Sequence, residues 1–380
     1  MTVEATAHKL TVASALGDYT VSVEPSLLTS AHTARPYIDQ VAHDCVVVAD
    51  AKVLELFPDS PWFADESRII GLTAAETVKT LDGVQELYQA FVDRGVRRST
   101  TVVVVGGGIV QDVAGFACHT FLRGVRWWYL PTTLLAQADS CIGAKTSLNH
   151  FTSKNILGTF ARPDRVLIDP AVLSTLARVD RASGCGELLK VFLMKGREAF
   201  APYARDLDAL LDAEPGSCAR HIAAGLAVKT EYIEEDEFDR GRRQLLNYGH
   251  EFGHALEAAS DFAVPHGLAV ALGIDFANRL ACRRGGGDAE FVAEVGGVVS
   301  RLVAGLAVRR LRWADLLQHL GRDKKRVGKD LTVVVAHRYG SLEKLIDVTR
   351  EEAAAVAADL EHIHFTDLDR TAPVREQEQP

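Results

Sequence analysis

The apolar run Val102 to Val105 ends in three consecutive glycines, Gly106 to Gly108, and a helical pattern follows at once. A strand that stops in glycine lets backbone N–H groups come close to an anion, and the N-terminus of the next helix favours negative charge. The spacing departs from the dinucleotide fingerprint, because Gln111 stands where G-x-G-x-x-G requires its third glycine. A plain tight turn at a strand end explains the string as well.

The surrounding pattern narrows the choice. From Leu10 to about Leu176, short β-branched runs alternate with helical stretches: Cys45 to Ala49, Arg68 to Ile70, Thr100 to Val105, Trp127 to Leu130 and Val166 to Ile168. Strands separated by helices of this length predict a mostly parallel sheet, with ligands beyond the strand C-termini. Asp50, the triple glycine and Pro131-Thr132-Thr133 follow three of these strands and fit one nucleotide site. From Arg178 the texture turns helical, as in Cys185 to Met194, Ser217 to Glu235, His250 to Ala259 and Phe291 to Leu306. The expected division is an α/β nucleotide-binding domain over 1–176, a helical domain over 177–370 and a flexible polar tail over 371–380. A late β-like run, Leu331 to Ala336, precedes a turn near Gly340.

Composition excludes several classes of function. The 380 residues are 47% hydrophobic and carry a net charge of -9, which argues against a nucleic-acid-binding face. An anionic substrate must then be held by a local cluster of Lys and Arg. The six cysteines form no C-x-x-C pair, which suits a reducing cytoplasm without disulfides. No apolar run approaches the roughly 20 residues that span a bilayer, and no secretory pattern opens the chain. The expectation is a cytoplasmic protein with no membrane or nucleic-acid partner.

His250 and His254, four apart, share a face if helical, and His266 follows a turn at Pro265. Two or three imidazoles plus a carboxylate make a metal site, and Glu187, three residues before Lys190 on a helical stretch, is the candidate carboxylate. Histidines at this spacing are also common as ordinary surface or core residues. His250 to His254 matches the zinc-protease string H-E-x-x-H as well, although Gly253 inside it and the nucleotide-like first half speak against a protease. Between Arg123 and Asn155, the residues Asp139, Lys145, Lys154 and Asn155 could serve an anion, and the apolar Ile156-Leu157-Gly158 predicts that the Lys154-Asn155 pair lies in a cleft. Lys229, Arg242, Arg243, Lys324 and Lys325 are further cations that only the fold could bring together. Solvated surface charge is the alternative for each.

Seven stretches resemble one family, the 3-dehydroquinate synthase and sugar phosphate cyclase superfamily: VVVVGGGIVQDVAGF, RGVRWWYLPTTLLAQADSCIGAKTSLNH, SKNILGTF, GELLK, RRQLLNYGHEFGHALE, the HG at His266 and DKK at Asp323. The resemblance implies a Rossmann-like NAD-binding α/β domain, a C-terminal all-α metal-binding domain, and a homodimer with the active site between the domains. It places a divalent metal, zinc or cobalt, on Glu187, His250 and His266, with His254 a non-ligating active-site group. It places NAD on Asp50, Glu76, Lys79, Gly107, Gly108, Asp112, Thr132, Thr133 and Lys154. Substrate and catalytic contacts fall on Asp139, Lys145, Asn155, Lys190, Lys229, Arg243, Asn247 and Lys324 or Lys325, with Arg123 reaching in from a second subunit. For Glu76 and Lys79, an exposed i, i+3 ion pair on a helix is the simpler reading.

The implied reaction is a lyase-type cycle without net redox change: NAD takes hydride from a secondary alcohol, phosphate leaves by elimination, hydride returns, the ring opens, and an intramolecular aldol step closes a carbocycle. Lys229, Arg243 and Asn247 together match members whose sugar phosphate also carries a carboxylate, which points to 3-deoxy-arabino-heptulosonate 7-phosphate. Gln111, Ala144, Lys52, the Cys141-Ile142 pair and Phe151 to Ser153 depart from the usual dehydroquinate synthase pattern. They keep open a divergent cyclase acting on sedoheptulose 7-phosphate or glucose 6-phosphate. A non-enzymatic binding relative would not be expected to retain every metal and lysine position.

Overall fold

The computed structural model describes residues 8–151, 153–304, 306, 313–320 and 331–364. The chain divides into two compact units, Met1–Gln244 and Leu245–Pro380. The first unit begins with β1 (His8–Val12), β2 (Tyr19–Val23), α1 (Ala31–Val41), β3 (Cys45–Asp50), α2 (Ala51–Leu56), β4 (Ile69–Leu72), α3 (Leu81–Asp93), β5 (Thr101–Gly106), α4 (Gly108–Thr120) and β6 (Arg126–Pro131). It continues through β7 (Lys145–His150), β8 (Ser153–Phe160), β9 (Arg165–Ile168), α5 (Arg178–Lys195), α6 (Arg197–Leu211) and α7 (Pro215–Glu235).

Seven strands form one sheet in the order β1-β2-β9-β6-β5-β3-β4. All neighbours are parallel except β1 and β2. Val102 to Val105 in β5 are wholly buried, as a central parallel strand covered on both faces demands. One face packs Val103, Val105, Trp128 and Leu130 against Ala34 of α1, Val53 of α2 and Trp62. α4 packs on β5 and β6 and also on β7 of a separate β7–β8 hairpin. That hairpin was not expected.

The sequence pattern puts the division after residue 176, but compactness places it 68 residues later, after Gln244. The reason is packing: α5 and α7 lie against each other and against the turn Ala136–Ser140, and α7 also touches β1. α5, α7 and α6, which packs on both, therefore belong to the sheet-bearing unit.

In the second unit α8 (His250–Ala259), α9 (His266–Arg283), α10 (Ala289–Val303), α11 (Trp313–Leu320) and α12 (Arg350–His364) accompany a hairpin of β10 (Leu331–Arg338) and β11 (Ser341–Val348). α9 is central, buried from Gly267 to Asn278 and packed by α8, α10, α12 and β10. The expected helical character holds, with this one hairpin added where Leu331 to Ala336 reads as a strand. Among the described residues no helix is long and apolar enough to cross a membrane, and all six cysteines are free thiols. The tail 371–380 lies outside the described residues.

Candidate functional site

Three adjacent parallel strands, β3, β5 and β6, deliver their C-terminal ends to one edge of the sheet. Gly106 pairs with Pro131 in register, Thr132 donates its N–H to the Gly106 carbonyl at 3.0 Å, and Asp50 closes β3 and caps α2. Gly107 is the N-cap of α4. A Cβ there would lie 2.9 Å from Thr133 Cγ2, and one on Gly106 would lie 2.7 Å from Val110. At Gly108 the nearest atom to such a Cβ is Ser140 Oγ, 3.9 Å away. The Cβ direction is thus open at Gly108 and closed at Gly106 and Gly107.

Glu76 and Lys79 do not pair with each other. Lys79 is buried and sits 2.6 Å from Asp112 on α4, while Glu76 lies 3.2 Å from Lys154. Lys79 also donates to Asn155 Oδ1 at 2.7 Å, and Asp112 accepts the Ser147 N–H at 2.8 Å. The β7–β8 hairpin is thereby tied to α4 and to the turn Glu76–Val78. Burial pushes the Asp112 carboxyl up against the opposing pull of Lys79. Asn155 and Ile156 are both exposed, so the apolar residue that follows the Lys154-Asn155 pair is not buried.

A second set of residues converges on Asp139, in the single π turn Ala136–Ser140. Lys229 of α7 lies 3.0 Å from Asp139 Oδ1, and Lys190 of α5 lies 3.7 Å from the same atom. Glu187, one turn before Lys190, forms a close ion pair with it, so the two share a face of α5 as their spacing predicts. Arg243, from the turn Arg242–Asn247, donates to the Gly143 carbonyl at 2.8 Å. Lys190, Lys229 and Arg243 are exposed by 2%, 6% and 3%, a depth at which ionised side chains are rare unless they serve partners. Burial pushes the Lys229 ammonium below its ordinary value, and Lys190 and Arg243 push the same way against Asp139. Burial likewise lowers Arg243. Lys190 goes the other way, because Asp139 and Glu187 together outweigh its burial. Lys145 pairs with Asp239 at 2.6 Å.

Sequence reasoning missed the clamp on this turn. The buried Gln111 donates through Nε2 to the Ser140 carbonyl and accepts from Ser140 Oγ, both at 2.7 Å. The residue that displaces the fingerprint glycine thus ties the first turn of α4 to the turn bearing Asp139. Ala144, which replaces another glycine, takes φ 59°, the left-handed region where glycine is preferred. Arg123 is exposed in a strained run, with φ of 52°, 65° and 119° at Leu122, Arg123 and Gly124.

In the second unit, His250 and His254 both project from α8, and His266 opens α9. Their ligating atoms all lie within 4.8 Å of one another. Glycine makes this possible: a Cβ on Gly253 would fall 3.1 Å from the Ala269 carbonyl, and one on Gly273 only 1.9 Å from the Gly249 carbonyl oxygen. The backbones of α8 and α9 therefore touch where the histidines emerge. Gly253 is explained by helix packing. Asn247 lies just before α8, and Lys324 and Lys325 lie outside the described residues.

Residues 69–183 match the 3-dehydroquinate synthase N-terminal family and 184–326 match the 3-dehydroquinate synthase C-terminal family. A 3-dehydroquinate synthase of Streptococcus sanguinis strain SK36 is 36% identical over 308 residues, spanning 78% of this chain and 85% of that protein. The chain belongs to the 3-dehydroquinate synthase family. Another member, a 3-dehydroquinate synthase from Streptococcus pneumoniae, is 36% identical over 304 residues, with 78% and 85% covered. A 2-epi-5-epi-valiolone synthase from Streptomyces hygroscopicus, solved with NAD+ and Zn2+, superposes with a TM-score of 0.81 at 27% identity over 90% of this chain and 97% of its own. A 2-deoxy-scyllo-inosose synthase shares the fold at a TM-score of 0.81 and 22% identity, covering 93% and 99%. The H-E-x-x-H string falls within the 3-dehydroquinate synthase C-terminal match, not in a protease.

Proposed function

We propose that the protein is a cytoplasmic, homodimeric, NAD- and metal-dependent 3-dehydroquinate synthase acting on 3-deoxy-arabino-heptulosonate 7-phosphate. The observation that carries this reading is the convergence of the buried cations Lys190, Lys229 and Arg243 on the turn Asp139–Gly143. Asp139 and Glu187 offset part of this desolvated charge, and an anionic substrate would offset the rest. Membership of the family and the identity to curated 3-dehydroquinate synthases support the same reading.

The residues fit both implied cofactors. Three imidazoles with donor atoms inside 4.8 Å suit a divalent ion, for which His250 and His266 are proposed ligands; Glu187 is the proposed carboxylate ligand on the family resemblance alone. The open approach at Gly108 and the neighbouring Asp50, Gly107, Asp112, Thr132 and Thr133 suit a dinucleotide, with Glu76, Lys79 and Lys154 beside it. When bound, NAD supplies a reversible hydride acceptor, and the ion a Lewis acid for the alcohol that is oxidised and later restored.

This chain's own residues do the remaining work. Lys229, Arg243 and Asn247 hold the substrate carboxylate; Lys145, Lys190, one of Lys324 and Lys325, and Arg123 of the partner subunit neutralise the phosphate as it leaves, and the Asn155 amide hydrogen-bonds to it. Asp139 screens Lys190 and Lys229 from each other and orients them between turnovers, and His254 is the non-ligating group beside the metal. Fixed charges in a desolvated site stabilise the departing phosphate without having to reorganise.

A second reading, a cyclase for another sugar phosphate, draws on the 27% identity to the valiolone synthase and on Gln111 and Ala144 in place of glycines. The intact set Lys229, Arg243 and Asn247 favours the carboxylated substrate. The test is phosphate release after chelator dialysis, with and without NAD and added zinc or cobalt. The proposal expects release only when both are present; release that needs neither would replace it with a simple phosphatase.

A further inference from the structure

We infer that Glu257 is a positioning residue for the metal centre, which fixes the tautomer and ring orientation of His266; this rests on His266 being a ligand, as proposed above. Glu257 follows His250 and His254 at i+7 and i+3 on α8, so all three emerge on one face of the helix. Its Oε2 lies 3.0 Å from His266 Nδ1, and its side chain is only 15% exposed. A neutral imidazole carries a single N–H. A carboxylate that accepts from Nδ1 holds the proton there and leaves Nε2 as the lone-pair nitrogen.

His250 is held in the same sense by different means. Its Nδ1 lies 3.3 Å from the Tyr248 carbonyl, and the Tyr248 hydroxyl donates to the buried Asn278 of α9, anchoring the residue that supplies that carbonyl. Both proposed histidine ligands thus have Nδ1 facing an oxygen acceptor, one a backbone carbonyl and one a carboxylate. Outer partners of this kind set ligand direction and basicity, and removing one costs metal affinity even though it never touches the ion. Glu257 differs in this from Glu187, the proposed direct carboxylate ligand.

The experiment measures zinc affinity of the full-length protein by competition with a chromophoric chelator, for wild type, Glu257→Gln and Glu257→Ala. It also reads the His266 tautomer in the metal-free proteins by long-range 15N–1H correlation, with thermal melts as the folding control. Glu257→Ala is expected to weaken zinc binding about 10- to 100-fold at an unchanged melting temperature. Glu257→Gln, whose amide oxygen still accepts from Nδ1, should stay within about fivefold of wild type. The metal-free wild type should hold His266 as the Nδ1–H tautomer, with that bias lost in Glu257→Ala. Unchanged affinity in Glu257→Ala overturns the inference, and so does an equal loss in Glu257→Gln, which would make Glu257 a direct ligand. A wild type that binds no zinc yet keeps the Nδ1–H tautomer removes the metal reading and leaves the orienting contact standing.

Discussion

Lys229 Nζ lies 3.0 Å from the carboxylate of Asp139 and 2.6 Å from the backbone carbonyl of the same residue. Both contacts hold a buried cation beside two others, Lys190 and Arg243, so its charge is only partly compensated in the substrate-free protein. A carboxylate on the substrate would complete it.

Replacing Lys229 with methionine removes that partner while keeping most of the side-chain volume. Truncating one member of a buried charge pair costs about 2–5 kcal/mol. The Michaelis constant for a carboxylate-bearing sugar phosphate should therefore rise on the order of 100-fold, with little change for a carboxylate-free one. Steady-state kinetics check this; an unchanged Michaelis constant would show that Lys229 does not bind the carboxylate.

Lys229 also predicts a pH dependence. Burial, reinforced by Lys190 and Arg243, holds its folded pKa below the ordinary value of 10.5. The unfolded chain then keeps the proton to higher pH, and its contribution to stability rises as pH climbs through the window between the lowered value and 10.5. The melting temperature of wild type minus that of Lys229→Met should grow with pH across that window, while affinity for the carboxylate-bearing sugar phosphate falls. A difference that stays flat with pH would contradict the assigned direction.

Gly108→Ala isolates the cofactor. The added methyl meets nothing closer than Ser140 Oγ at 3.9 Å, so the fold should tolerate it. It intrudes where the dinucleotide is proposed to approach the backbone. NAD affinity measured by calorimetry should fall at least tenfold, about 1.4 kcal/mol, with the melting temperature preserved. Undiminished NAD affinity would move the cofactor away from this turn.

Gln111→Ala removes two hydrogen bonds to Ser140, worth about 1 kcal/mol each. Asp139, the neighbouring residue, should then lose its fixed direction. The Michaelis constant for the sugar phosphate should rise roughly tenfold while NAD affinity changes little, because the glycine turn itself is untouched. A loss confined to NAD would assign Gln111 to the cofactor instead.

Much of this arrangement is legible in the sequence where local rules decide. Val102 to Val105 announces a central strand because it is apolar on both faces, and the pairs Glu187 with Lys190 and His250 with His254 follow from helical spacing. The β7–β8 hairpin escaped notice because its strands are half-exposed and polar, as in Lys145 to His150, so no apolar period marks them. The meeting of Lys190, Lys229 and Arg243 at one turn is set by packing between distant elements, which spacing cannot encode. Glu76 and Lys79 illustrate the limit: their i, i+3 spacing predicts a mutual pair, and tertiary partners took both. Gln111 reads from the sequence only as a missing glycine, since the clamp depends on Ser140, 29 residues away.

Buried cations in this cyclase are proposed to recognise a carboxylate together with a phosphate. This recognition is tested most directly by comparing kcat/KM for phosphate release, with NAD and zinc present, from 3-deoxy-arabino-heptulosonate 7-phosphate, sedoheptulose 7-phosphate and glucose 6-phosphate. Efficient turnover is expected of the first alone, with 3-dehydroquinate as the product; turnover of either carboxylate-free sugar phosphate in preference to it would rule out recognition of a carboxylate by these cations.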